Sequence, residues 1–116
     1  MNRVFVVDGA RTPFLKVRGG PGPFAAADLA VACARPLLAR QSFAPSDIDE
    51  AIVGCVIPAP DEANIARIVA LRLGCGKHVP AYTVQRNCAS GLQAVASAAE
   101  RIALGYSNLI LAGGTE

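Results

Sequence analysis

Four cysteines (Cys33, Cys55, Cys75 and Cys88) and one histidine (His78) are the side chains in this sequence best suited to act as nucleophile, base or soft metal ligand. The cysteines stand 22, 20 and 13 residues apart with no C-x-x-C pair, so neither a zinc site nor any other metal site is expected. In an apolar, core-rich chain the ordinary reading of a cysteine is a small buried hydrophobe, and a disulfide framework is not expected. Cys88 is different. It sits in Gln85-Arg86-Asn87-Cys88-Ala89-Ser90-Gly91, between a β-type run at 81–85 and a helical pattern that follows. That places it where the carboxyl end of a strand turns into a helix start, the region in which open α/β sheets gather their working groups. The first helical turn offers unpaired backbone N–H groups and a partial positive charge, which lower a thiol pKa and favour the thiolate. The same donors suit an oxyanion: the Cys88 N–H can point at an acyl carbonyl carried on its own sulfur, while Ala89, Ser90 and Gly91 leave room for the approach. A cysteine at a helix start is also often no more than a packed residue, and spacing alone leaves both readings open. His78 lies in a Gly-Lys-His-Val-Pro turn at the other end of the same strand, about 17 Å away, and is expected to be a surface turn residue rather than a base.

The elements that would position Cys88 follow from the apolar patterning. Residues 4–7, Val-Phe-Val-Val, read as a first strand buried on both faces, closed by Asp8-Gly9. The Gly19-Gly20-Pro21-Gly22-Pro23 stretch is a loop; it matches neither a P-loop nor a dinucleotide fingerprint. Residues 26–40 are predicted helical, with Pro36 kinking or shortening the helix. A second strand is expected at 51–57, stopped by Pro58, and a second helix over 65–73 ends at Gly74. The third strand, 81–85, is more polar and so belongs near an edge or an interface. The third helix is expected from about Cys88 to Leu104, with Leu92, Val95, Ala96, Ala99, Ile102 and Ala103 on one face. Its low charge predicts burial on several sides. A fourth strand, 108–112, leads into Gly113-Gly114-Thr115-Glu116. The β-α-β-α-β-α-β order predicts an α/β fold with a mainly parallel sheet and helices on both faces.

Composition narrows the function classes. The chain has 116 residues, 53% hydrophobic and 17% charged, which suits one folded domain and argues against disorder. A net charge of +2, scattered Lys and Arg and a 5% aromatic content give little support to a nucleic-acid surface. No run of about 20 apolar residues predicts a membrane span, and the run after Arg3 is too short for a secretory signal, so a cytoplasmic or organelle-matrix location is expected.

Three blocks of the sequence, Asp8-Gly9-Ala10-Arg11-Thr12-Pro13, Val84-Gln85-Arg86-Asn87-Cys88-Ala89-Ser90-Gly91-Leu92-Gln93-Ala94-Val95 and Leu109-Ile110-Leu111-Ala112-Gly113-Gly114-Thr115-Glu116, occur in an order that resembles the amino-terminal part of the thiolases. The stretch from Gly54 to Arg67 is similar to the 3-ketoacyl-CoA thiolase branch associated with fatty-acid β-oxidation. The resemblance covers essentially the whole chain, and its most specific element is the N-C-x-S-G block at the strand-to-helix junction.

The resemblance implies a partial thiolase-like α/β/α half-fold in which residues 1–116 form the amino-terminal portion of the family's N-terminal domain. The coenzyme-A-binding loop region, the fifth strand and the C-terminal domain would lie outside it. It implies acyl transfer from a 3-ketoacyl-CoA through an acyl-cysteine on Cys88, with coenzyme A as co-substrate, no covalently bound cofactor, and a homodimer or tetramer of the full-length protein paired through strand 81–85. Gly113 and Gly114 would let backbone pass close to the site or simply form a tight turn, whereas Arg67 and Arg86 are expected to be structural. The family's histidine base and second acid/base cysteine belong to carboxyl-terminal motifs not present in this sequence, and Cys33, Cys55 and Cys75 do not match them. By itself the chain is therefore expected to be inactive and to fold poorly. Two other readings stay open: a non-catalytic interaction protein that keeps the half-fold, and part of a ketosynthase-type condensing enzyme.

Overall fold

The strand β1, Glu50–Gly54, is buried along its whole length, and its alternating side chains feed two separate cores. Ala51 and Val53 face one side of the sheet, with Cys55 continuing the same row just beyond the strand. There they pack against Ile65, Ala66 and Val69 of the helix α2, Ile65–Arg72, and against Ala27, Ala34 and Leu38 of the helix α1, Ala26–Ala39. Ile52 faces the other side and meets Ala94 and Ala98 of the helix α3, Ser90–Ala103. Period-2 alternation thus builds an α/β/α sandwich, with burial of a side chain such as Ile52 contributing about 1.5–3 kcal/mol.

The computed structural model describes residues 1–116, and in it β1 is flanked by β2, Ala81–Val84, and β3, Ile110–Gly114. The order is β2-β1-β3, all parallel, with Ile52 opposite Tyr82 on one side and Ala112 on the other. In chain order these are the second, third and fourth expected strands, so the parallel sheet with helices on both faces is present. The polar third strand is indeed an edge. α1 continues for one turn beyond Pro36, which forfeits its hydrogen bond to the Ala32 carbonyl without ending the helix.

Four expectations need correction. Residues 4–7 form no strand: Phe5, Val6 and Val7 are exposed, with Val6 at 86%. The segment crosses outside the sheet, held at one end by the Asn2 N–H donating to the Ala103 carbonyl at 2.9 Å and at the other by Asp8 accepting from Arg40 and Gln41. Within residues 1–116 the segment has no ladder partner, since the sheet is made of β2, β1 and β3 alone. β1 stops at Gly54 rather than running to Ile57, because the Val56 and Ile57 amides turn away to donate to the Glu116 carboxylate at 2.9 and 3.0 Å. β3 is shifted two residues toward the carboxyl terminus, since the Asn108 and Leu109 amides are taken by the Asp49 carboxylate. Finally, α3 lays its small side, Ser90, Ala94 and Ala98, on the sheet and leaves Leu92 at 73% and Val95 at 43% exposed.

Candidate active site

Glycines bring the start of α3 against the carboxyl ends of β1 and β3. A Cβ on Gly54 would lie 2.3 Å from the backbone carbon and oxygen of Ser90 and 2.6 Å from the Gly91 nitrogen. A Cβ on Gly114 would lie 2.9 Å from the Gly91 Cα. Real side chains do not tolerate such distances to backbone, so hydrogen is the only substituent these two strand positions accept. Gly114 therefore serves close approach and lies inside β3 rather than in a turn, whereas Gly113 has open space at its Cβ position.

Between β2 and α3 the chain makes a tight turn. Asn87 holds φ at +49°, the only non-glycine residue in the left-handed region, a conformation Asn tolerates better than most side chains. The Asn87 N–H donates to Gln85 Oε1, two residues upstream, at 2.6 Å. Ser90 Oγ accepts from the Arg86 N–H at 2.8 Å and donates to the Asn87 carbonyl at 2.6 Å, and the Ala89 and Ser90 amides return to the Arg86 and Asn87 carbonyls. Cys88 stands at the tip of this turn, two residues before α3 rather than in its first turn, because Ala89 is the residue that flanks the helix. Its amide takes no backbone acceptor.

The Cys88 side chain is exposed and lines an open cleft of about 1200 Å³ at the carboxyl end of the sheet. The cleft is bounded by the 55–57 loop with its Glu116 clamp, by Cys33 on α1, and by the amino-terminal segment carrying Arg11, Lys16 and Arg18. The other cysteines sit differently. Cys55 and Cys75 are buried; burial pushes both thiols up, and at Cys55 the nearby Glu116 charge adds to the effect. No group of three or more His, Cys, Asp or Glu side chains is arranged to hold a metal ion.

His78 is exposed in the turn that precedes β2, at the opposite end of that strand from Cys88. Arg67 donates to the Val79 and Lys77 carbonyls and Arg86 to Gln93 Oε1, so both arginines brace the scaffold. The sequence reading missed Gly54 and Glu116 as parts of the site and, at Ser90, the hydrogen bonds that its hydroxyl makes across the turn. A glycine inside an apolar strand signals close approach and would have flagged Gly54; nothing local flags a carboxylate that clamps a loop some 60 residues away.

The match to known proteins decides the family. The family model for the thiolase N-terminal domain matches residues 4–116. The chain belongs to the thiolases. It is 40% identical over 115 residues to a 3-ketoacyl-CoA thiolase of Yersinia enterocolitica and 38% identical to one of Yersinia pestis, in each case over 99% of this chain and 26% of the relative. This thiolase chain thus spans about a quarter of the length of these curated relatives. Among solved structures it superposes on an acetyl-CoA acetyltransferase of Bacillus anthracis with a TM-score of 0.75 and 42% identity, covering 79% of this chain and 23% of that one. A thiolase of Ascaris suum in complex with coenzyme A gives 0.73 and 30%, covering 78% and 24%. No helix of this thiolase chain is long and apolar enough to cross a membrane.

Proposed function

We propose that the protein carrying this chain catalyses thiolase-type acyl transfer, with Cys88 as the nucleophile that carries the acyl group. The observation behind this reading is the contrast among the thiols: Cys88 is exposed on the cleft at the carboxyl end of the sheet and at the strand-to-helix turn, Cys33 is half-buried on α1 at the border of the cleft, and Cys55 and Cys75 are packed in the core. Both the 3-ketoacyl-CoA thiolase relatives and the coenzyme A complex of the Ascaris suum thiolase support an acyl-CoA substrate and coenzyme A as co-substrate.

The Cys88 thiolate attacks the 3-keto carbon of a 3-ketoacyl-CoA, and the Cys88 N–H, free of any backbone acceptor, donates to the oxyanion. Collapse of the adduct breaks the C2–C3 bond, the electron pair passes to C2, and C2 takes a proton to leave as acetyl-CoA. The coenzyme A thiol then loses its proton, its sulfur attacks the acyl-cysteine, and the Cys88 sulfur departs as thiolate. The base and acid for these transfers belong, in this reading, to the carboxyl-terminal motifs that the family resemblance implies, since His78 stands at the wrong end of β2. Residues 1–116 alone accordingly give no turnover. The exposed Phe5, Val6 and Leu92 and the two open sheet edges make the isolated chain prone to association. In the full-length protein the β2 edge pairs with a second subunit.

The test is coenzyme-A-dependent thiolysis of acetoacetyl-CoA by the full-length protein and its Cys88→Ala variant. The expected result is a loss of kcat on the order of 10³-fold or more. A variant that retains activity within tenfold contradicts the assignment.

A further inference from the structure

We propose that Ser90 is a positioning residue for acyl transfer: its hydroxyl locks the turn that carries Cys88 and so fixes where the sulfur stands. The inference rests on Cys88 being the nucleophile, and it assigns to a neighbouring side chain the task of aiming it.

Ser90 is buried at 4% exposure, beneath the turn and against the backbone of Gly54. Its single hydroxyl makes two short hydrogen bonds that span the turn, accepting from the Arg86 N–H and donating to the Asn87 carbonyl. These two partners bracket the peptide whose Asn87 φ is +49°. Left-handed backbone at a non-glycine residue persists only where surrounding contacts over-determine it. The Ser90 hydroxyl and the Gln85 side chain supply the side-chain contacts here, added to the two backbone bonds from the Ala89 and Ser90 amides. Removing the hydroxyl leaves the Arg86 N–H without its partner and deprives the Asn87 carbonyl of one of two donors. The turn then relaxes toward right-handed or extended backbone at Asn87, which re-aims the Cys88 Cα–Cβ bond. Helix α3 below is held separately by Ala94 and Ala98 against Ile52, so the fold persists while the sulfur moves. A misplacement of about 1 Å at a reacting atom is enough to cost about 10²-fold in rate.

The experiment measures single-turnover acetylation of Cys88 by acetyl-CoA in the full-length protein, alongside its thermal melt and the KM for thiolysis. Ser90→Ala is expected to slow acetylation tenfold to a hundredfold with KM within threefold of the parent, and Ser90→Thr, which keeps the hydroxyl, to recover most of the rate. Acetylation within twofold of the parent in Ser90→Ala overturns the proposal, as does equal slowing in Ala and Thr variants. Should Ser90→Ala not fold, Asn87→Gly and Asn87→Ala ask the same question from the other end of the hydrogen bond. Gly adopts the left-handed turn freely and is expected to keep the rate within threefold, while Ala is expected to lose it; equal rates in the two overturn the proposal. Cys88→Ala run in parallel separates the two claims, because an acetylated Cys88→Ala protein would refute the nucleophile itself, whatever Ser90 does.

Discussion

Adding one methyl group at Gly54 is expected to damage both stability and acyl transfer, and the structure sets the size of the effect. The new Cβ would stand 2.3 Å from the Ser90 backbone carbon and oxygen, against an ordinary contact distance of 3.4 Å or more. The start of α3 must therefore retreat by about 1 Å, and neither β1, paired on both sides, nor the helix backbone contains a flexible side-chain end to absorb the strain. Overpacking of this kind costs about 1–3 kcal/mol, and the retreat carries the Cys88 turn with it. A shift of that size at the sulfur corresponds to about 10²-fold in rate. The glycines also supply an internal scale. Gly114→Ala, with a 2.9 Å approach to the Gly91 Cα, is expected to be milder than Gly54→Ala, and Gly113→Ala, with open space at its Cβ, to be near neutral. Thermal melts and acetylation rates of the three full-length variants test the ordering. Gly54→Ala matching Gly113→Ala in both readouts would refute the claim that close backbone approach sets the position of the nucleophile.

Limited treatment with iodoacetamide at neutral pH is expected to label Cys88 first and Cys55 and Cys75 last, since burial both shields the latter two and pushes their thiols up; peptide mapping that finds uniform labelling in folded protein counts against the burial contrast. Arg101→Met is expected to destabilise by about 2 kcal/mol, because it leaves the buried Glu50 carboxylate with only the Ser107 hydroxyl at 3.2 Å, although the partial exposure of Arg101 keeps the loss below the 3–5 kcal/mol of a fully buried pair. The Arg40 guanidinium, with Gln41 and the Gly9 amide, holds the Asp8 carboxyl far below its ordinary 3.8. The sign for a depressed carboxyl is that its stabilisation is full above the unfolded value and is lost as pH falls toward the folded one. Hydrogen exchange at the Gly9 amide is therefore expected to stay protected from neutral pH down to about 4 and to lose protection only in stronger acid; loss near pH 6 would contradict the tether.

The sheet and the Cys88 junction were legible because they rest on local signals. The apolar run at 51–54 has the length and flanks of a buried strand and the more polar run at 81–84 those of an edge strand, and Gln85 to Gly91 join the latter to a helical pattern. What periodicity could not supply is which side of a helix meets the sheet. α3 has an apolar stripe through Leu92 and Val95 and a small-residue stripe through Ser90, Ala94 and Ala98, and hydrophobicity favours burying the first. The glycines at 54 and 114 decide otherwise, since they demand an approach that only the small stripe permits. The 4–7 run failed for a related reason: a strand exists only with a neighbour, and residues that would stand beside it are a matter of tertiary order rather than of its own composition. The turn that carries Cys88 has a left-handed Asn87 and side-chain bonds from Ser90 and Gln85, details below the reach of any pattern in residue type.

The central claim is that Cys88 becomes acylated. The most direct measurement is the mass of the tryptic peptide from Asn87 to Arg101, whose only cysteine is Cys88, taken from full-length protein quenched in acid after incubation with acetyl-CoA. The account predicts one acetyl group on that peptide, removed on adding coenzyme A before the quench. An unmodified Cys88 peptide beside an acetylated Cys33, Cys55 or Cys75 peptide, or acetylation that coenzyme A does not reverse, would contradict it.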